Sequence, residues 1–317
     1  MSFDLFFYTA PGAATRLTSA ATGEAVAAVL GRDATPTQTA SGTEWACTGA
    51  DTGVTFTLRH RDPATSELPA AIVSSDSAGA PFSGFSVEVA YVRPKFFGIE
   101  ALASAGAIAG RLGLLMPDPL SPPKSGQPVN VVKTEPAAMN QIIEHWMAGN
   151  RFAIASTQKL TGKRPPYLES ERSMHWWRFQ RMRQSLQKAM GQNAIVSQAR
   201  VIRVVSTGEL VLMADWANGF PAVFPQVEVF LMIDAKSLDD PNAKVAWTPA
   251  GEVIDKLGAA FRRFEQPGCD LMACAGIPPN SPLRAAFDAL PRYPVQGMIE
   301  DIGLAFIDEP EQPAATA

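Results

Sequence analysis

Residues Phe82–Leu120, FSGFSVEVAYVRPKFFGIEALASAGAIAGRLGLLMPDPL, carry the reading of the fold. Within them Ser86–Val92 alternates apolar and polar side chains, the period of a strand with one face in a core. Arg93-Pro94 ends it, because proline donates no ladder hydrogen bond and restrains its predecessor. Phe96, Ile99, Leu102, Ala103 and Ile108 then recur near helical spacing. Gly106 and Gly110 form a G-x-x-x-G, which we read as close helix packing rather than membrane dimerisation. A second buried strand or loop leads to Leu120. Strand, turn and apolar helix in this order report an α+β or α/β core.

Toward the N-terminus, Ser2–Thr9 is a β-rich run closed by Pro11-Gly12, and Ala20–Leu30 is an alanine-rich helix stopped by Gly31. Thr43–Gly49 and Gly53–Arg59 flank Ala50-Asp51-Thr52 as a hairpin. Toward the C-terminus, Pro117–Pro128 has five prolines in twelve residues and is the expected domain boundary. A helix is expected from Thr134 to about Ala155, with Thr134 as N-cap and Pro136 in its first turn. Leu168–Met190 reads as a longer helix whose apolar stripe is Leu168, His175, Phe179, Met182, Leu186 and Met190. Strands follow at Ala194–Val205, Glu209–Trp216 and Val227–Ile233. Thr248-Pro249 opens a helix through about Phe264, and Ser281-Pro282 opens another to Leu290. Ile302–Ile307 is placed to close a sheet edge.

These elements predict an α+β fold of two closely packed α/β-type domains, each a small, mostly antiparallel sheet covered by helices. The expected division is residues 1–120, a proline-rich linker at 121–133, and residues 134–317 with the long basic amphipathic helix.

Composition narrows the function. Of 317 residues, 46% are hydrophobic and 18% charged, which supports a large core and excludes global disorder. The net charge of −4 argues against general nucleic-acid binding. The most apolar run, Ile99–Met116, is interrupted by Glu100 and Arg111, so no membrane span or membrane partner is expected. MSFDLFFYTAPG lacks the basic start of a signal peptide. Three cysteines, Cys47, Cys269 and Cys274, fit a reducing cytoplasm.

The motifs of common catalytic machinery are missing. There is no G-x-S-x-G, H-E-x-x-H, Walker A loop or G-x-G-x-x-G. Cys269 and Cys274 lack zinc spacing and read as buried thiols, with a redox pair as the alternative. His145 beside Glu144, or His175 four after Glu171, are the available acid–base pairs. His175 falls on the apolar stripe, where a core histidine is the plainer reading. Asp239-Asp240 and Glu300-Asp301 are adjacent carboxylates without a third ligand. No metal, cofactor or catalytic residue is therefore assigned.

Charge is divided. Residues 151–203 hold eleven Lys/Arg against two Asp/Glu, and residues 204–317 hold seven against sixteen. In the plain reading, the basic segment docks on the acidic one or is solvated. In the functional reading, a charged face binds a partner of opposite sign. The candidates are Glu228, Asp234, Asp239 and Asp240 on the acidic side. On the basic side they are Trp176, Arg178 and Arg181, with Lys188 on the same helix face.

The segments YVRPKFFGIEAL (91–102), HWWRFQRMRQSLQKAMG (175–191) and ADWANGFPAVFPQVEVFLMI (214–233) together resemble uncharacterised bacterial proteins. Those are similar to the cytosolic immunity proteins of polymorphic-toxin and type VI secretion loci. The resemblance implies a protein partner, a cognate toxin neutralised by direct binding, and carries over no site residues. An immunity protein opposing a basic cleft would use the acidic face. Two alternatives stand beside this binding module. One is an enzyme whose site is assembled from scattered acidic and histidine residues. The other is a nucleic-acid binder using residues 151–203, with Trp176, Trp177 and Phe179 stacking on bases.

Overall fold

The computed structural model describes residues 1–12, 17–61, 80–121, 129–234, 243–266 and 268–308. The chain divides into two compact units, Met1–Pro165 and Pro166–Ala317. Both are α+β, with antiparallel-rich sheets packed against helices.

The first unit has one seven-stranded sheet, antiparallel throughout. Its strands are β1 (Ser2–Tyr8), β2 (Ala34–Thr39), β3 (Gly42–Thr48), β4 (Thr55–Arg61), β5 (Phe82–Ala90), β6 (Leu115–Pro117) and β7 (Val131–Lys133). They lie in the order β2-β3-β4-β5-β1-β6-β7. Helices α1 (Ser19–Leu30) and α2 (Lys95–Arg111) lie against the sheet, and α3 (Pro136–Thr161) packs on α2. The β3–β4 hairpin is the expected one. Phe7 and Phe85 stack at 5.2 Å in the centre of the core.

Strand β5 ends at Ala90 rather than Val92 because the chain turns there. Val92 has φ +61°, a left-handed conformation that β-branched residues rarely adopt. Fully buried Asn150 of α3 holds the turn. Its Oδ1 accepts from the Val92 N–H at 2.7 Å and the Arg93 N–H at 3.3 Å, and its Nδ2 donates to the Arg93 carbonyl at 2.8 Å. Three hydrogen bonds to this buried side chain offset a strain of about 1–3 kcal/mol.

The boundary between units lies later than the sequence suggests. Strand β7 pairs with β6, and α3 packs on α2, so residues 129–165 belong to the first unit. The proline-rich run therefore sits inside that unit, and 122–128 fall outside the described residues. Thr134 does not cap α3. Its hydroxyl donates to the Leu114 carbonyl at 2.8 Å, and Glu135 takes the N-cap position.

The second unit has two sheets. The larger, in the order β16-β13-β12-β10-β9-β17, is built from β9 (Ala199–Val204), β10 (Leu210–Ala217), β12 (Val229–Asp234), β13 (Lys244–Pro249), β16 (Tyr293–Pro294) and β17 (Ile299–Asp301). The smaller, β14-β15-β11-β8, uses β8 (Ile195–Val196), β11 (Ala222–Pro225), β14 (Phe261–Gln266) and β15 (Cys269–Cys274). Between β10 and β12 the chain crosses to the smaller sheet as β11 and returns, so β10 and β12 run parallel. Trp216 (β10) and Phe230 (β12) meet Phe224 (β11) and Phe261 (β14) between the sheets. Trp216 lies 5.2–5.8 Å from four rings, the fourth being Phe287.

Helices α4 (Ser170–Met190), α5 (Ala250–Leu257) and α6 (Pro282–Asp288) complete the unit. Ser281 caps α6 as expected, accepting from the Arg284 N–H at 3.1 Å. The helix expected through Phe264 stops at Leu257, and Phe261 already belongs to β14. Thr248 lies in β13, where its hydroxyl donates to the Pro291 carbonyl at 2.7 Å rather than capping α5. Helix α4 lies on the smaller sheet and buries Ser173, Trp176, Trp177, Phe179 and Gln180, with Trp176 and Gln180 both donating to the Ala199 carbonyl of β9. The predicted stripe is rotated: Met182, Leu186 and Met190 are only half-buried, while Trp176 and Trp177 are buried.

Candidate functional site

The start of α4 is held by Ile307 and Asp308. The Leu168 N–H donates to the Ile307 carbonyl at 3.0 Å, and Ser173 Oγ to the buried Asp308 carboxylate at 3.0 Å. On the sheet side, β14 and β15 pair out to Gln266 and Cys269. Between them opens a cavity of about 600 Å³ lined by Glu171, His175, Arg178, Gln266, Gly268, Cys269 and Asp270. Its size suits a small ligand or one inserted side chain.

His175 Nε2 stands 3.5 Å from Cys269 Sγ. Burial pushes the imidazole below its ordinary value; Asp270 and Glu171 oppose the shift, and Arg178 adds to it. Burial pushes the Cys269 thiol up to about 11, with Asp270 adding and Arg178 opposing. The pair is thus a neutral thiol beside a neutral imidazole at pH 7. A nucleophilic cysteine needs the reverse, a thiolate held by a cation.

All three cysteines are buried and free, and burial raises each thiol, Cys47 to about 12. The native protein at about pH 8 is therefore expected to show no fast-reacting thiol to a disulfide reagent, and three after denaturation. One stoichiometric fast thiol near pH 7 would contradict this and mark Cys269 as activated. The redox pair does not form. An odd separation along β15 puts Cys269 and Cys274 on opposite faces.

The depressed imidazole also sets a sign for pH. On acidification the unfolded chain takes up this proton first, so His175 contributes stability above 6.5 that is lost as pH falls toward its folded value. His175→Gln is expected to flatten the acid limb of a urea-denaturation series below 6.5. An unchanged slope would contradict the burial argument.

The other candidates disperse. His145 and Glu144 are exposed side by side on α3, outside this unit. His60 is buried, with Nε2 3.2 Å from the Leu17 carbonyl. Among the described residues no group of three His, Cys, Asp or Glu side chains is arranged to hold a metal ion. Glu300 pairs with Arg203, and Asp301 lies 3.9 Å from Arg200.

The acidic face does not assemble as expected. Glu228 binds Arg172 at 2.7 Å and accepts from the Leu212 N–H at 2.8 Å. Asp234 is exposed at the end of β12, paired in register with Lys244. Asp239 and Asp240 lie outside the described residues. Arg200 pairs with Asp215 at 2.6 Å. Three arginines of the basic segment, Arg172, Arg200 and Arg203, are thus neutralised by the acidic one. Each such pair stabilises by only about 0–1 kcal/mol, yet it removes a charge from the free surface.

On α4 the outcome differs. Trp176 is buried, and its indole N–H donates to the Ala199 carbonyl at 3.0 Å, so it is no exposed anchor. Trp177 and Phe179 are buried too and are not open to stacked bases. Arg178, Arg181, Ser185 and Lys188 are exposed at steps of three, four and three, along one line of the helix. Arg178 donates to the Gly268 carbonyl at 3.3 Å, and Arg181 lies over the Trp177 ring at 5.0 Å. Among the described residues no carboxylate forms an ion pair with either arginine or with Lys188.

The sequence does not reveal the cavity, because His175 and Cys269 are 94 residues apart. Gly268, with φ +77° between β14 and β15, is the local cue for the turn that presents Cys269. No family model matches this chain, and no curated protein or solved structure matches it, so the comparisons place it in no family.

Proposed function

We propose that this chain is a protein-binding module whose contact surface is the outer face of α4, and that its partner presents acidic side chains. The carrying observation is the line Arg178–Arg181–Lys188. It keeps its charge while Arg172, Arg200 and Arg203 are paired internally. Exposed cations on a helix fixed by buried Trp176 and Trp177 attract an acidic surface at little ordering cost. The face differs from the acidic one that the resemblance favoured, since Glu228 is already engaged. In its more specific form, suggested by the resemblance to immunity proteins, the partner is a toxin neutralised by occlusion. The test is calorimetric titration with the protein encoded by the adjacent gene, repeated in rising salt. Affinity that falls with salt supports the proposal; no complex, or a salt-insensitive one, sinks it.

A second reading, an enzyme with a site of scattered residues, is favoured by the cavity that joins His175, Cys269, Glu171 and Asp270. The cavity holds two carboxylates against one guanidinium, so anions gain nothing by entering it. A thiol pushed up to about 11 is a poor nucleophile. A fast thiol in the titration described above would favour this reading.

A further inference from the structure

We propose that the outer face of α3 is a self-association seam that pairs two copies of this chain antiparallel about a two-fold axis. Helix α3 buries Met139, Ile142, Ile143, Trp146, Asn150, Ala153 and Ile154 within its own unit. The opposite face exposes His145, Ala148, Phe152, Ala155 and Lys159 at steps of three, four, three and four. That alternation is the spacing by which one helix presents a continuous seam to another. Phe152, at the middle of that line, is 74% exposed.

The occupant follows from size and charge. Alanines on either side of Phe152 leave room for a facing phenyl ring, so the seam is complementary to itself. Glu144 lies at one end and Lys159 at the other, both exposed. A parallel pair would set like charges together. An antiparallel pair sets Glu144 of each copy near Lys159 of the other, the closed isologous arrangement of most homodimers. The seam spans four helical turns, so a modest, concentration-dependent dimer is expected.

The experiment is sedimentation of the full chain over a concentration series, with carbodiimide cross-linking and peptide mapping. Within one helix Glu144 and Lys159 are about 22 Å apart, so a zero-length link between them forms only between copies. A dimer with that link is expected. Phe152→Asp is expected to weaken association at least about tenfold, with unchanged circular dichroism because the residue is exposed. A protein monomeric at every concentration overturns the proposal. So does a dimer that survives Phe152→Asp, or one whose links lie elsewhere.

Discussion

Gly98→Ala is expected to destabilise the first unit by about 3 kcal/mol, while Gly110→Ala in the same helix leaves it unchanged or slightly more stable. A Cβ built on Gly98 comes within 2.6 Å of Trp146 Cδ2 and nearer still to Cε3. The indole cannot retreat. It is fully buried and stacked on Tyr91 at 6.3 Å, and Tyr91 in turn lies against Gly149. At Gly110 the nearest atom is the Thr134 carbonyl oxygen at 3.9 Å, ordinary contact. There the loss of glycine's extra unfolded-state freedom gains about 0.5–1 kcal/mol. Gly98→Ala receives the same gain, but the overlap is larger. Urea denaturation of both variants decides it. Equal midpoints would show that α3 does not press on α2 as described.

This pair also marks what the sequence made legible. The strand, turn and helix of Phe82–Leu120 are present, and G-x-x-x-G does report close packing at Gly106, whose Cβ would meet Met139 Cγ at 2.9 Å. The tightest contact is at Gly98, because Trp146 comes from a helix beyond the apparent linker. Local signals could not show that Pro117–Pro128 is followed by a strand of the same sheet. Ser281-Pro282 behaved as its residue types dictate, whereas Thr134 and Thr248 found carbonyls from distant segments in place of helix N–H groups. Strand β11 has little strand signal in the sequence, since it is four residues long with Pro221 just before it and Pro225 as its last residue. Pro225 is tolerated at the end of a four-residue strand. The division of charge was plain in the sequence. Which arginines are neutralised depends on register, as where Arg203 and Glu300 lie opposite each other on β9 and β17.

Reversing Arg178, Arg181 and Lys188 together is expected to weaken partner binding about 100-fold. Each exposed pair contributes about 0.2–1 kcal/mol, and reversal replaces attraction with comparable repulsion, so three sites change binding by about 3 kcal/mol. Folding should respond modestly, since Arg178→Glu also sets a third carboxylate beside Glu171 and Asp270. The triple variant loses one 3.3 Å bond to a backbone carbonyl and one cation–π contact, each about 1 kcal/mol or less. Asp234→Lys serves as the contrast, since it alters the acidic side and leaves α4 intact.

The direct measurement is therefore one calorimetric titration of the adjacent gene's product into wild type, the Arg178→Glu/Arg181→Glu/Lys188→Glu variant, and Asp234→Lys. Binding to wild type, about 100-fold weaker binding to the triple variant, and wild-type affinity for Asp234→Lys are expected. No binding to wild type, or equal affinity for wild type and the triple variant, would contradict the proposed role of α4.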